Sequence, residues 1–169
     1  MTSLHTTLTF LAALTLSACA TNIHPTATAQ LTPTTGNTTS GSVRFVQTGD
    51  TMRVNGTITG LKPATAHGFH IHEKGDCSSG DGMSAGGHFN PSNTAHGQHG
   101  HGVHHAGDLP SLQADANGTA TFSFTSNDFA NPTNIVGRSL IVHRDPDDYT
   151  TQPTGNSGPR LACAVITKQ

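Results

Sequence analysis

The chain has 169 residues, enough for one domain and short of two. Only 11% of residues are charged and 5% aromatic, while glycine occurs 19 times. That composition argues against a helical bundle with Glu- and Lys-rich faces and for short strands joined by turns, and a formal charge of −2 leaves no basic footprint for nucleic acid.

Leu8 to Ala18 is an apolar run too short to span a bilayer but suited to the core of a signal peptide, so 1–18 is set apart from the fold. The tetrad Leu16-Ser17-Ala18-Cys19 resembles a bacterial lipoprotein signal, in which the cysteine is lipidated and becomes the first mature residue. The segment before it departs from that pattern in lacking Lys and Arg. Ala20, where retained lipoproteins carry aspartate, resembles an outer-membrane destination. The resemblance implies a lipid anchor at Cys19 and a place in the bacterial cell envelope facing the periplasm; without lipidation it implies a secreted or periplasmic protein. Residues 19–40 are rich in Thr, Pro and Ala with almost nothing to bury, and are expected to form a disordered tether carrying a solvated His24. The folded domain is then 41–169.

Residues 42–46 and 52–59 alternate around Thr48-Gly49-Asp50 and read as a hairpin. A third strand spans 67–73. After the Asn117-Gly118 turn, 119–126 puts Ala120, Phe122 and Phe124 on one face. Residues 138–143 and 161–167 are the last strands. No stretch keeps a helical period, so the elements predict an antiparallel sandwich or flattened barrel. Residues 75–112 are too poor in apolar side chains for a core and read as a long functional loop. With Cys19 assigned to lipid, Cys77 and Cys163 are an even pair in an exported domain, either bridged or two buried thiols. A bridge would close roughly 86 residues and stabilise by ~4–5 kcal/mol at most.

The twelve histidines crowd between His67 and His105, and a polar His-rich tract more often binds metal than fills a core. Strand geometry puts His70 and His72 on one face and Phe69 and Ile71 on the other. Alone, such a pair is weak evidence for an ion, and a satisfied surface pair is the default reading. His88, His96, His105 and Asp108 follow at intervals of 8, 9 and 3. Three imidazoles and a carboxylate suit four-coordinate zinc with no open position, a structural pattern that would order the loop by the free energy of binding. His143 ends the apolar strand Leu140-Ile141-Val142, free to join His70 and His72.

Five segments, GFHIHE (68–73), GGHFNP (86–91), HAGDLP (105–110), IVHRDPDD (141–148) and GNSGPRLACAVI (155–166), closely resemble the copper–zinc superoxide dismutases, most of all the exported bacterial ones. The resemblance runs from about Ser42 to Lys168. It implies an immunoglobulin-like Greek-key sandwich with long metal-binding loops, one copper and one zinc per subunit, and dismutation of superoxide to oxygen and hydrogen peroxide. It implies that His70, His72, His88 and His143 bind copper, and that His88, His96, His105 and Asp108 bind zinc, with His88 bridging. Asp147 resembles the carboxylate that holds a histidine of each set, Arg160 the arginine over the copper channel, and Cys77 with Cys163 the family's disulfide. The implied role is protection of the envelope from superoxide, by a monomer or a homodimer.

His99, His101 and His104 have no place in that scheme and are either solvated filler or an auxiliary metal-collecting tract. The interval to His96 and Asp108 favours His105 over His104 as a ligand. The segment from Asp148 to Pro159 contains no Lys, so any steering charge beyond Arg160 is expected at Lys74 or Arg144. A non-catalytic metal carrier on the same fold would be favoured by loss of Arg160 or of a copper histidine, and neither is missing.

Overall fold

The computed structural model describes residues 26–169; the signal-like run, Cys19 and His24 lie outside the described residues. Ten strands account for nearly all regular structure: β1 (Thr26–Pro33), β2 (Ser40–Thr48), β3 (Thr51–Thr59), β4 (Ala66–His67), β5 (Phe69–His72), β6 (Leu112–Gln113), β7 (Ala120–Ser126), β8 (Ser139–His143), β9 (Arg160–Val165) and β10 (Thr167–Lys168). Among the described residues only two single-turn 3-10 helices interrupt them, Met83–Ala85 and Pro132–Asn134. The hairpin expected from Thr48-Gly49-Asp50 is present, with Thr48 paired to Thr51 and Gly49 at a φ of 59° that a tight turn requires.

The main sheet runs β5-β8-β9-β1-β2-β3-β7, with β10 also on β1, and every pairing is antiparallel. The chain crosses from the β3 half to β5 at the far end, and returns to that far end again from β7 to β8. These are the Greek-key crossovers of a curled sandwich, and the fold class expected from the sequence is correct.

The expected tether is wrong from Thr26 onward. In β1 the sequence TATAQLTP alternates, with Ala27, Ala29 and Leu31 buried and its polar residues turned outward or partly covered. Thr26 to Leu31 pair with β2, and Thr32 and Pro33 pair with β9, so this strand joins the two halves of the sandwich. The period-2 signal was present but carried by alanines, whose small apolar surface looks like linker composition.

Phe45, Met52, Val54 and Ile58 from the hairpin meet Phe69 and Ile71 of β5 and Leu140 and Val142 of β8 in the core. Every residue of β5 and β8 is buried. Their second faces are covered by the loop from residue 73 to 111. Below Ile141 that loop supplies Ala85 and Cys77 to a small apolar cluster with Cys163.

Candidate metal centre

Three histidines stand on strands. His70 and His72 project from β5 on the side opposite Phe69 and Ile71, and His143 ends β8. A register shift at that end matters: Val142 pairs with Ala162 but His143 pairs with Arg160, leaving Leu161 as the extra residue. Such a bulge changes which residues face one another, and here it sets His143 beside Arg160.

The other ligand types arrive on the loop, which folds back along the free edge of β5. Phe89 N–H donates to the Ile71 carbonyl at 2.8 Å, Ile71 N–H to the Gly107 carbonyl at 2.9 Å, and Glu73 N–H to the Gly87 carbonyl at 2.9 Å. This pairing covers an otherwise open strand edge and puts His88 beside His72 and Asp108 beside His70. A side chain at Gly107 would collide with the Ile71 carbonyl and the Phe89 backbone, so the close approach requires glycine there.

The result is two buried groups that share His88: His70, His72, His88 and His143, and His88, His96, His105 and Asp108. Backbone carbonyls settle two tautomers, because a carbonyl can only accept. His72 Nδ1–H donates to Gly86 at 2.9 Å and His143 Nδ1–H to Gly158 at 3.1 Å, leaving both Nε2 atoms as lone pairs 3.4 Å apart. Asp147 fixes two more: it accepts from His70 Nε2–H at 2.7 Å and from His96 Nε2–H at 2.9 Å. The opposite atoms, His70 Nδ1 and His96 Nδ1, are buried without a hydrogen-bond partner, as is His88 Nε2.

Orphaned buried acceptors are costly unless a cation satisfies them, and the spacing of the ligand atoms gathered around His96 Nδ1 fits one. Ligands at zinc-like bond lengths in a tetrahedron stand about 3.3 Å apart. Around the loop-borne group, His88 Nδ1 to His105 Nδ1 is 3.4 Å, His96 Nδ1 to Asp108 Oδ2 is 3.1 Å and His105 Nδ1 to Asp108 Oδ1 is 3.3 Å. The His96–Asp108 pair is within ion-pair distance without hydrogen-bond geometry, as expected of two atoms aimed at a common point rather than at each other.

The two groups differ electrostatically. Burial, aided by His88, pushes the His70 imidazole down to about 4, against the pull of Asp147. Burial and neighbouring imidazoles hold His72 and His143 well below the usual histidine range. Burial also opposes charge on His96, but the carboxylates of Asp108 and Asp147 outweigh it and lift this imidazole to about 9. Both carboxylates are themselves held far below their ordinary range, because hydrogen bonds from the histidines outweigh burial.

A family model described as copper/zinc superoxide dismutase matches residues 39–166. The chain belongs to the copper/zinc superoxide dismutase family. A Superoxide dismutase (Cu-Zn) of Paramecium bursaria Chlorella virus 1 is 43% identical over 134 residues, covering 75% of this chain and 71% of its own length. One of Onchocerca volvulus is 40% identical over 144 residues, covering 78% of this chain and 90% of its own. The crystal structure of the clock protein EA4 matches with a TM-score of 0.77 and 37% identity over 85% of this chain and 94% of that one. The protein is thus an oxidoreductase acting on superoxide, with copper and zinc as its cofactors.

The structure brings His70, His72, His88, His143, His96, His105 and Asp108 together, with Asp147 against His70 and His96. Arg160 lines the same cleft as His72 and His143. Its two terminal nitrogens donate to the Gly82 and Gly86 carbonyls, each at 2.6 Å. The Gly86 oxygen therefore holds both Arg160 and His72. Cys77 and Cys163 are disulfide-bonded, fastening the loop to β9. Arg144, a suggested steering charge, is instead paired with Asp145 at 2.9 Å.

Sequence reasoning missed the supports. Gln152 clamps the His96 backbone at both ends, accepting from its N–H at 2.8 Å and donating to its carbonyl at 3.0 Å. Tyr149 N–H donates to Asp147 at 2.8 Å. Gly155, at a φ of 65°, leaves room that a side chain would take from the Asp147 carboxylate and the His96 ring. Thr34 Oγ1–H donates to the Arg160 carbonyl at 2.7 Å. Only the Asp-Pro-Asp-Asp run near His143 hinted at any of these.

Proposed function

We propose that dismutation runs through a copper redox cycle, with His70, His72, His88 and His143 as the copper ligands and His88, His96, His105 and Asp108 as the zinc ligands. The position of His88 carries this reading. Its Nδ1 lies 2.8 Å from Asp108 in the loop-borne group, while its Nε2 is buried and unpaired, left for the strand-borne group. Bound there, copper supplies a one-electron couple, and zinc, with no second oxidation state, a fixed positive charge.

The protein's own groups then bind the anion and manage protons. Two superoxide anions and two protons yield one oxygen and one hydrogen peroxide. His88 takes a proton on Nε2 while Nδ1 keeps the ring in place, and passes it to the second superoxide; solvent supplies the other proton. Arg160 draws the anion in and hydrogen-bonds it with the N–H groups its two carbonyl anchors leave free. Asp147, holding His70 and His96, positions one ligand of each ion.

The place of action in this reading is the bacterial cell envelope, supported by the run from Leu8 to Cys19, with lipid on Cys19 and an exported, disulfide-bonded domain protecting the envelope. Replacing Cys19 by Ser is expected to move the enzyme from membrane to soluble fractions; continued membrane association would overturn the anchor.

The deciding experiment for the chemistry uses a soluble form beginning at Thr21. Oxidised and loaded with copper and zinc, it is expected to dismute superoxide rapidly and in a cyanide-sensitive way, and the zinc-only form is not. Inactivity despite one tightly held copper per chain would overturn the copper cycle.

A further inference from the structure

Three of the side chains with candidate ligand atoms take no part in the dismutase centre. His99 and His104 lie on the loop outside the four-ligand groups, and Asp128 lies just beyond the end of β7. Their candidate ligand atoms are within 4.8 Å of one another. The carboxylate is shared by the two rings: His99 Nδ1 is 3.2 Å from Asp128 Oδ2, and His104 Nε2 is 3.2 Å from Asp128 Oδ1. From the geometry we infer that His99, His104 and Asp128 form a third cation site, one that takes a borderline divalent ion such as zinc.

Each member of the set is held by a second contact, as ligands of a built site are. His104 Nδ1–H donates to the Gly102 carbonyl at 3.0 Å, which turns Nε2 toward Asp128 Oδ1, 3.2 Å away. Ser126 Oγ–H donates to Asp128 Oδ2 at 3.0 Å, and the Asp128 N–H donates back to Ser126 Oγ at 3.2 Å. The His99 ring packs edge-on against Phe124, with centroids 5.7 Å apart. Two imidazoles and a carboxylate suit zinc, copper(II) and nickel alike. With Asp128 exposed, the set leaves coordination positions to water, so it exchanges its ion more readily than the two enclosed groups.

The placement says what occupancy does. Without an ion, His99 Nδ1–H donates to the carbonyl oxygen of Asp108 at 3.0 Å, a bond the ion would replace; the Asp108 carboxylate belongs to the loop-borne group, and His104 immediately precedes His105. An ion here ties the 96–108 segment to the end of β7 and sits one peptide away from the enclosed group. The site therefore braces that segment and holds a divalent ion beside it. His101, fully outside the set, is exposed.

The inference is independent of which ion each four-ligand group holds, and the test keeps the two questions apart. Holoenzyme, first shown to contain its copper and zinc, is titrated with zinc at low micromolar concentration, counted by native mass spectrometry and followed by the NMR shifts of the histidine rings. The wild type is expected to take one further zinc, with His99 and His104 resonances moving and dismutation unchanged. The H99Q/H104Q double variant, and separately D128N, are expected to keep their copper and zinc and to bind the further ion at least about tenfold more weakly. No further zinc on the wild type would overturn the site, as would the same further zinc on the double variant. A holoenzyme lacking copper or zinc before titration would count against the four-ligand groups instead.

Discussion

The two halves of the metal centre are built on different kinds of backbone. Three of the four members of one group stand on β5 and β8, strands paired along their whole length and buried on both faces. All four members of the other lie in the loop between β5 and β6, where the one regular element is a single 3-10 turn. A ladder of hydrogen bonds fixes the first group before any ion arrives. The second gathers three histidines and one carboxylate, with Asp147 on the far side of His96, an arrangement that asks for a cation. The difference teaches that the strand-borne half is pre-organised by the sheet, whereas the loop-borne half exchanges binding free energy for loop order.

Replacing one ligand on each side is the strongest way to break that comparison. His143→Gln is expected to abolish dismutation and copper retention while moving the melting temperature of the zinc-loaded protein little. His105→Gln is expected to lower that temperature by roughly 10 °C, about 3 kcal/mol for a domain this size, and to open residues 73–111 to hydrogen exchange. Equal loss of loop protection in both variants would erase the distinction.

Asp147 touches both halves, so Asp147→Asn sharpens the comparison. The amide can accept from one imidazole but presents N–H to the other. Metal affinity is expected to fall about 10–100-fold, for zinc as well as copper, in parallel chelator competitions. A loss confined to copper would show that His96 does not depend on this carboxylate.

The most gradual effect is in pH. In metal-stripped protein His96 is raised to about 9, so its charged form contributes stability fully below the unfolded value near 6.5 and loses it as pH rises through about 9. His70, lowered to about 4, contributes in the opposite sense, with stability present above 6.5 and lost as pH falls through about 4. Zinc must displace the His96 proton, so its affinity is expected to rise by about tenfold per pH unit between 6.5 and 9. A competition against a coloured chelator at three pH values measures this, and a flat profile would mean that His96 carries no proton there.

Much of this was legible in the residues. Alternation exposed β5 as a strand with histidines on one face, and the intervals from His88 to Asp108 revealed a zinc-like set before any fold was known. What stayed hidden depends on contacts between distant positions. Gln152 and Gly155 matter only because the chain returns past His96, 56 and 59 residues earlier. His99 and His104 had no evident partner because Asp128 lies beyond two more strands. In β1, alanines concealed a period that larger side chains would have advertised.

The strand that was missed also dictates when this molecule can be finished. β1 is the first described segment of the chain, yet Thr32 pairs with Cys163 and Ala27 with Lys168. Its neighbours on that side lie far along the chain, Cys163 being 131 residues after Thr32. Contacts so remote in sequence must close a large loop before they return any stability, and they slow folding. The two halves of the sandwich therefore cannot be stitched together until β9 and β10 have been made. A chain halted before Arg160 would keep its hairpin but never acquire its seam.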